Sequence, residues 1–160
     1  MKRFLRNFLL CACMMVLLSV CAFAAQVSVS DMKVKVNGVE QTPQAYLIDG
    51  NNYFKLRDLA MMLRETPSRF EVGYDSETKT VTMTPGKDYT PVGGEQTALP
   101  AGNKAATLTN AAVYLDGNPL SLTAYSIGGN NYFKLRDLVF ALGFSVDWNN
   151  TTSTVTISAQ

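Results

Sequence analysis

From Val27 the chain alternates apolar and polar positions. Val27 and Val29, then Met32, Val34 and Val36 lie on one side, with Lys33 and Lys35 on the other. A period of two sends successive side chains to opposite faces, so residues 26–36 are expected to be a half-buried strand, with Asp31 marking a bend or bulge. Asn37-Gly38 is a hairpin dipeptide, because a type I′ turn needs positive φ at both central residues. The return strand is expected over residues 44–48, and Pro43 keeps the residues before it off a central ladder. A polar turn cluster over residues 49–52 leads to Tyr53 and Phe54, a short extended entry to a helix. The period then changes: Leu56, Leu59, Ala60 and Leu63 fall at i, i+3, i+4 and i+7, one apolar stripe of an α-helix. Asp58 sits in its first turn, where the helix dipole favours an anion, and Pro67 cannot continue the helix. Phe70, Val72 and Tyr74, then Val81 and Met83, alternate across a polar loop and predict a closing hairpin.

The same series then returns. Val113 and Leu115 precede Asp116-Gly117, residues 124–127 are the expected return strand, and Leu135, Leu138, Val139 and Leu142 form a second stripe. Gly143 is placed to cap that helix in the left-handed region. Phe144, Val146 and Trp148 pair with Val155 and Ile157. Asn-Asn-Tyr-Phe-Lys-Leu-Arg-Asp-Leu occurs unchanged at 51–59 and 130–138, whereas only six of 24 positions agree between residues 27–50 and 106–129. The phrase is therefore held more tightly than its surroundings. The predicted fold class is α+β: two β-β-α-β-β repeats, each an antiparallel sheet packed on one short helix. The organisation is a first repeat over 26–84, a Gly/Pro-rich linker over 85–105, mostly connector although residues 89–94 are able to dock on the fold, and a second repeat over 106–160. A unit of about 55 residues without disulfide or metal is marginal alone, so the repeats are expected to share a core. Two independent beads on a flexible linker are the alternative.

Residues 1–25 read as an export signal: Lys2, Arg3 and Arg6, an apolar run from Phe8 to about Val20, and Ala22-Phe23-Ala24 as a small-x-small cleavage site. The expected location is extracellular or wall-associated, with cleavage near Ala24; an uncleaved anchor is the alternative. All three cysteines lie in this segment and the chain has no histidine. Ordinary zinc, copper and haem sites and Ser-His or Cys-His nucleophile pairs are thereby excluded from the remainder, and no cofactor is expected. Losing the three basic residues of the signal leaves 11 basic against 13 acidic residues, a net charge of −2. Neither nucleic acid nor, after cleavage, an anionic membrane surface is an expected partner.

The order Tyr-Phe, Leu-Arg-Asp-Leu, Gly-Phe-x-Val-x-Trp and Thr-Val-Thr-Ile resembles the copper amine oxidase N-terminal-like module, or stalk domain, in two tandem copies. The resemblance implies a small α+β unit in exported and cell-surface proteins of mainly Gram-positive-type bacteria. It also implies a part of the oxidase that is not catalytic and carries no copper. The first copy departs from the pattern where residues 64–69 replace a short Gly-type helix exit.

Lys55, Arg57, Lys134 and Arg136 are the charged remainder of the doubled phrase, and Tyr74 and Trp148 are matched aromatics near polar loops. Arginine suits bidentate contact with anions and aromatic rings stack on sugars, so these six form a candidate surface for a cell-wall polymer or an envelope protein. The competing structural reading pairs the arginines with nearby carboxylates or sheet-end carbonyls and buries the rings. Asp75 and Glu77 lack the spacing of a calcium loop. The function expected is a non-catalytic exported module that binds or spaces at the envelope. A carboxylate-dependent glycan-acting enzyme and an accessory or inhibitor subunit are the alternatives; the oligomeric state is open.

Overall fold

The computed structural model describes residues 27–99 and 105–159; residues 1–25, expected to be an export signal, lie outside them. Among the described residues fourteen strands form three sheets and two short helices accompany them. The first copy supplies β1 (Val27–Val29), β2 (Lys33–Val36), β3 (Val39–Gln41), β4 (Ala45–Ile48), β5 (Asn51–Lys55), α1 (Leu56–Leu63), β6 (Phe70–Asp75) and β7 (Thr80–Pro85). The second supplies β8 (Thr107–Leu108), β9 (Ala112–Leu115), β10 (Asn118–Leu120), β11 (Ala124–Ile127), β12 (Asn130–Lys134), α2 (Leu135–Leu142), β13 (Ser145–Asn149) and β14 (Thr154–Ser158). The α+β class with short helices is as the periodicity predicts.

How the strands are shared was not readable from that periodicity. The central sheet runs β1-β4-β5-β12-β11-β8, entirely antiparallel. At its middle the two copies of the repeated phrase are hydrogen-bonded neighbours. Phe54 faces Phe133, its own counterpart, while Tyr53 faces Lys134 and Lys55 faces Tyr132. A pseudo-twofold axis therefore passes between the two phenylalanines. Each is fully buried, a burial that contributes about 1.5–3 kcal/mol.

The other two sheets exchange hairpins between copies. β13-β14 of the second copy joins β2-β3 of the first through a parallel pairing of β14 with β2, Val155 beside Val34. In the related sheet β7 runs parallel to β9, with Val81 beside Val113. One hydrophobic core draws on both copies, including Val34, Leu59, Leu63, Phe70, Met83, Val113, Leu138, Val155 and Ile157. A second cluster, Tyr46, Ile48, Tyr53, Ile127 and Tyr132, covers the opposite face of the central sheet. There the rings of Tyr46 and Tyr132, and of Tyr53 and Tyr125, meet edge-on across the copies with centroids 5.0 and 5.1 Å apart.

Two local expectations are corrected. The strand returning from Asn37-Gly38 is Val39–Gln41, not residues 44–48; Ala45–Ile48 instead pairs with β1 and β5 in the central sheet. The second copy repeats this, with β10 as the return strand and β11 in the central sheet. In both copies the return strand, β3 or β10, is the edge of its sheet and the chain then crosses to the central sheet; Pro43 suits that crossing in the first copy, but Leu122 holds the matching place in the second, so proline is not required for it. Asn37 and Gly38 do have φ of 48° and 85°, as the turn requires.

Both helices start from an extended lysine, Lys55 (φ −62°, ψ 123°) and Lys134 (φ −63°, ψ 122°), with no side-chain cap. The predicted stripe of α1 is buried; in α2, Leu135 and Leu138 are buried while Val139 and Leu142 are half-buried. Gly143 (φ 73°) closes α2 with its N–H on the Val139 carbonyl. In α1 the Thr66 N–H and hydroxyl, at 2.9 and 2.7 Å from the Leu63 carbonyl oxygen, replace a glycine exit.

Candidate functional site

The antiparallel register of β5 and β12 decides what lies beside each strand-to-helix corner. Continued past Lys55, it carries residues 130–131 of the second copy toward Leu56 and Arg57 of the first, and the symmetry makes the reverse true. Two clefts result. The first is lined by Lys55, Leu56, Arg57 and Tyr74 of one copy and by Gly129, Asn130 and Asn131 of the other, with Val92 and Gly93 adding a wall; its volume is about 180 Å³. The second is lined by Lys134, Leu135, Arg136, Trp148 and Asn150, with Gly50, Asn51 and Asn52 from the first copy; its volume is about 380 Å³. The Lys-Leu-Arg run, the Gly-Asn-Asn run and the aromatic ring recur in both clefts, whereas Val72, Gly73, Val81 and Phe133 also line the first and Asn150 only the second. The six candidate residues are thus gathered as two sets of three, each with two asparagines that sequence reasoning had assigned only to a turn.

The arginines and the lysines differ in what they do. Arg57 is half-buried and Arg136 exposed, and neither has a hydrogen bond or ion pair with a described residue. The pairing with carboxylates that the structural reading expects is not seen among the described residues. Tyr74 and Trp148, 47% and 38% exposed, leave ring surface open near them. Lys55, by contrast, is 7% exposed; its ammonium donates to the Gly94 carbonyl at 2.7 Å and lies 3.8 Å from Asp58.

Asp58, fully buried, is the hub of this first corner. Its carboxylate accepts the N–H of Gln44 at 2.5 Å and of Gln96 at 3.1 Å. Burial pushes this carboxyl above the ordinary range, against the two N–H donors and Lys55, which pull it down. The linker is bound here through further contacts. The Gln44 amide donates to the Thr97 carbonyl at 2.9 Å, Tyr89 is buried in the main core, and its hydroxyl donates to Glu95 at 2.7 Å. Residues 89–97, expected to be mainly connector, are therefore part of the first copy's corner. The burial of Asp58 was missed, whereas docking was open for residues 89–94 and the structure extends it to Thr97.

Each cleft offers cationic donors, amides, turn backbone and an aromatic face, and neither is lined by a carboxylate. That donor set binds anions, sugars or peptide backbone. It does not supply the paired carboxyls, about 5–9.5 Å apart, that glycoside hydrolysis requires. Among the described residues no group of three or more Asp or Glu side chains is placed to hold a metal ion, and no helix is long and apolar enough to cross a membrane.

Comparison with known proteins gives one family. The model of the copper amine oxidase N-terminal domain matches residues 33–157, a range that takes in both copies and the segment between them. In the copper amine oxidases this domain is the non-catalytic part. No curated protein and no solved structure matches the chain.

Proposed function

The chain belongs to the copper amine oxidase N-terminal domain family, and from that premise we propose that it is a non-catalytic exported module that binds a partner at the bacterial cell envelope. In this reading two stalk-like repeats act as one interlocked unit, and residues 1–25 direct export and are removed near Ala24. The observation that carries the proposal is the repetition, about the pseudo-twofold axis, of an open cleft holding an unpaired arginine beside an exposed aromatic ring. A guanidinium in a concave site, with no carboxylate partner among the described residues, is a ready donor for an anionic or carbonyl-rich partner. The absence of carboxylates from both linings counts against the glycan-cleaving alternative.

The test is co-sedimentation of residues 26–160 with purified cell wall and with envelope membranes. Retention is expected, and Arg57→Ala with Arg136→Ala should reduce it at least about tenfold while leaving the melting temperature in place, since each lost charged hydrogen bond is worth about 1.5–3 kcal/mol. The form recovered from envelope fractions should have the mass of a chain beginning just after Ala24. Failure to sediment with any fraction would remove the binding role.

A further inference from the structure

The two corners are chemically identical but differently occupied. At the first, Lys55 holds the Gly94 carbonyl and Asp58 holds the Gln96 N–H two residues further on. Gly93 and Gly94, at φ 92° and 79°, let the segment turn where it passes closest. At the second, Lys134 and Asp137 stand on the same backbone, with helix-entry dihedrals within a degree of those at the first. Both are only half-buried, and neither side chain makes a hydrogen bond or ion pair with a described residue, the Asp137 carboxylate having only the Tyr53 phenol in electrostatic reach. The first corner shows what this pair does when filled: an ammonium takes a carbonyl and a carboxylate takes an N–H.

We propose that the Lys134–Asp137 corner, with the cleft beside it, is a docking site for a glycine-containing loop of a partner polypeptide, bound as residues 92–97 are bound at the first corner. The proposal rests on the binding-module reading above and names its partner class. Polypeptide is favoured over a polyanion because Asp137 adds a negative charge where such a polymer would have to lie. A neutral glycan lacks the paired carbonyl and N–H at peptide spacing. The lysine that the core does not need is kept identical in both copies because both copies bind backbone.

Trp148 lines the second cleft and is the sole tryptophan, so its emission reports on this site alone. A synthetic peptide of residues 88–98 is titrated to millimolar concentration into residues 26–160. A saturable change in Trp148 emission is expected, absent with a scrambled peptide and weakened at least about tenfold by Asp137→Asn or Lys134→Gln, as loss of a charge-assisted hydrogen bond requires. Circular dichroism melts establish that both variants stay folded. A silent titration, or a response that survives both substitutions, overturns the proposal, as does a response to polyphosphate without one to peptide. Sedimentation with envelope together with a silent peptide would sink this inference and leave the binding role; the converse would sink the envelope location and leave the peptide site.

Discussion

Asp58 and Asp137 occupy the same place in the repeated phrase, yet their surroundings give them different energetic weight. Asp58 satisfies the buried N–H of Gln44 and the part-buried N–H of Gln96, and removing an acceptor from the first leaves a buried donor unpaired. Asp58→Asn keeps the shape but turns one acceptor into a donor, and should cost about 1–3 kcal/mol in urea unfolding. Asp137→Asn, half-exposed and unbonded among the described residues, should change stability by no more than about 0.5 kcal/mol. Equal losses at the two positions would contradict the asymmetry. The sequence made Asp58 legible as a helix-start anion, because that depends only on position within a turn. Its tertiary bonds depend on where Gln44 and Gln96 arrive, which no local pattern contains.

Among the elements, the docked linker is held by groups that titrate in opposite senses. Burial raises Glu95, but the Tyr89 hydroxyl and the Val92 N–H pull further and hold it below the ordinary carboxylate range. Its folded value is depressed, so the unfolded chain binds more protons and this contribution disappears as pH falls through that value. Asp58 is shifted upward, so its contribution is present at low pH and fades as pH rises through its folded value. Glu95→Gln should therefore flatten the loss of stability between about pH 6 and about pH 3, leaving the opposite slope of Asp58 visible in the urea midpoint. An unchanged acid limb would show that Glu95 does not hold the linker. Element types were readable from periodicity: the Leu56, Leu59, Ala60, Leu63 stripe and the Asp116-Gly117 turn are local properties. Strand partners were not. A period of two says which face of Val34 is buried, but not that its neighbour is Val155.

For the whole molecule, exchange of hairpins makes the two halves inseparable in the folded state. Each half alone would leave one edge open on three strands, β2, β5 and β7 in the first or β9, β12 and β14 in the second. Cutting the chain between Leu99 and Ala105 should leave two fragments that co-elute under native conditions and part only in denaturant. Urea should unfold the intact chain in one transition by circular dichroism and Trp148 emission alike. A half that stays folded after separation would contradict the shared core.

The parallel pairing of β2 with β14 joins Lys33 to Thr154 at one end and Val36 to Ile157 at the other. Tension drawn along the chain first loads the short β1 against β4; once β1 yields, it enters β2 at its start and leaves β14 at its finish, opposite ends of the same ladder. Force then runs along the strands and loads every bond between them together, instead of peeling them apart one by one. A parallel pair loaded at opposite ends resists in shear, and β2 with β14 is such a pair.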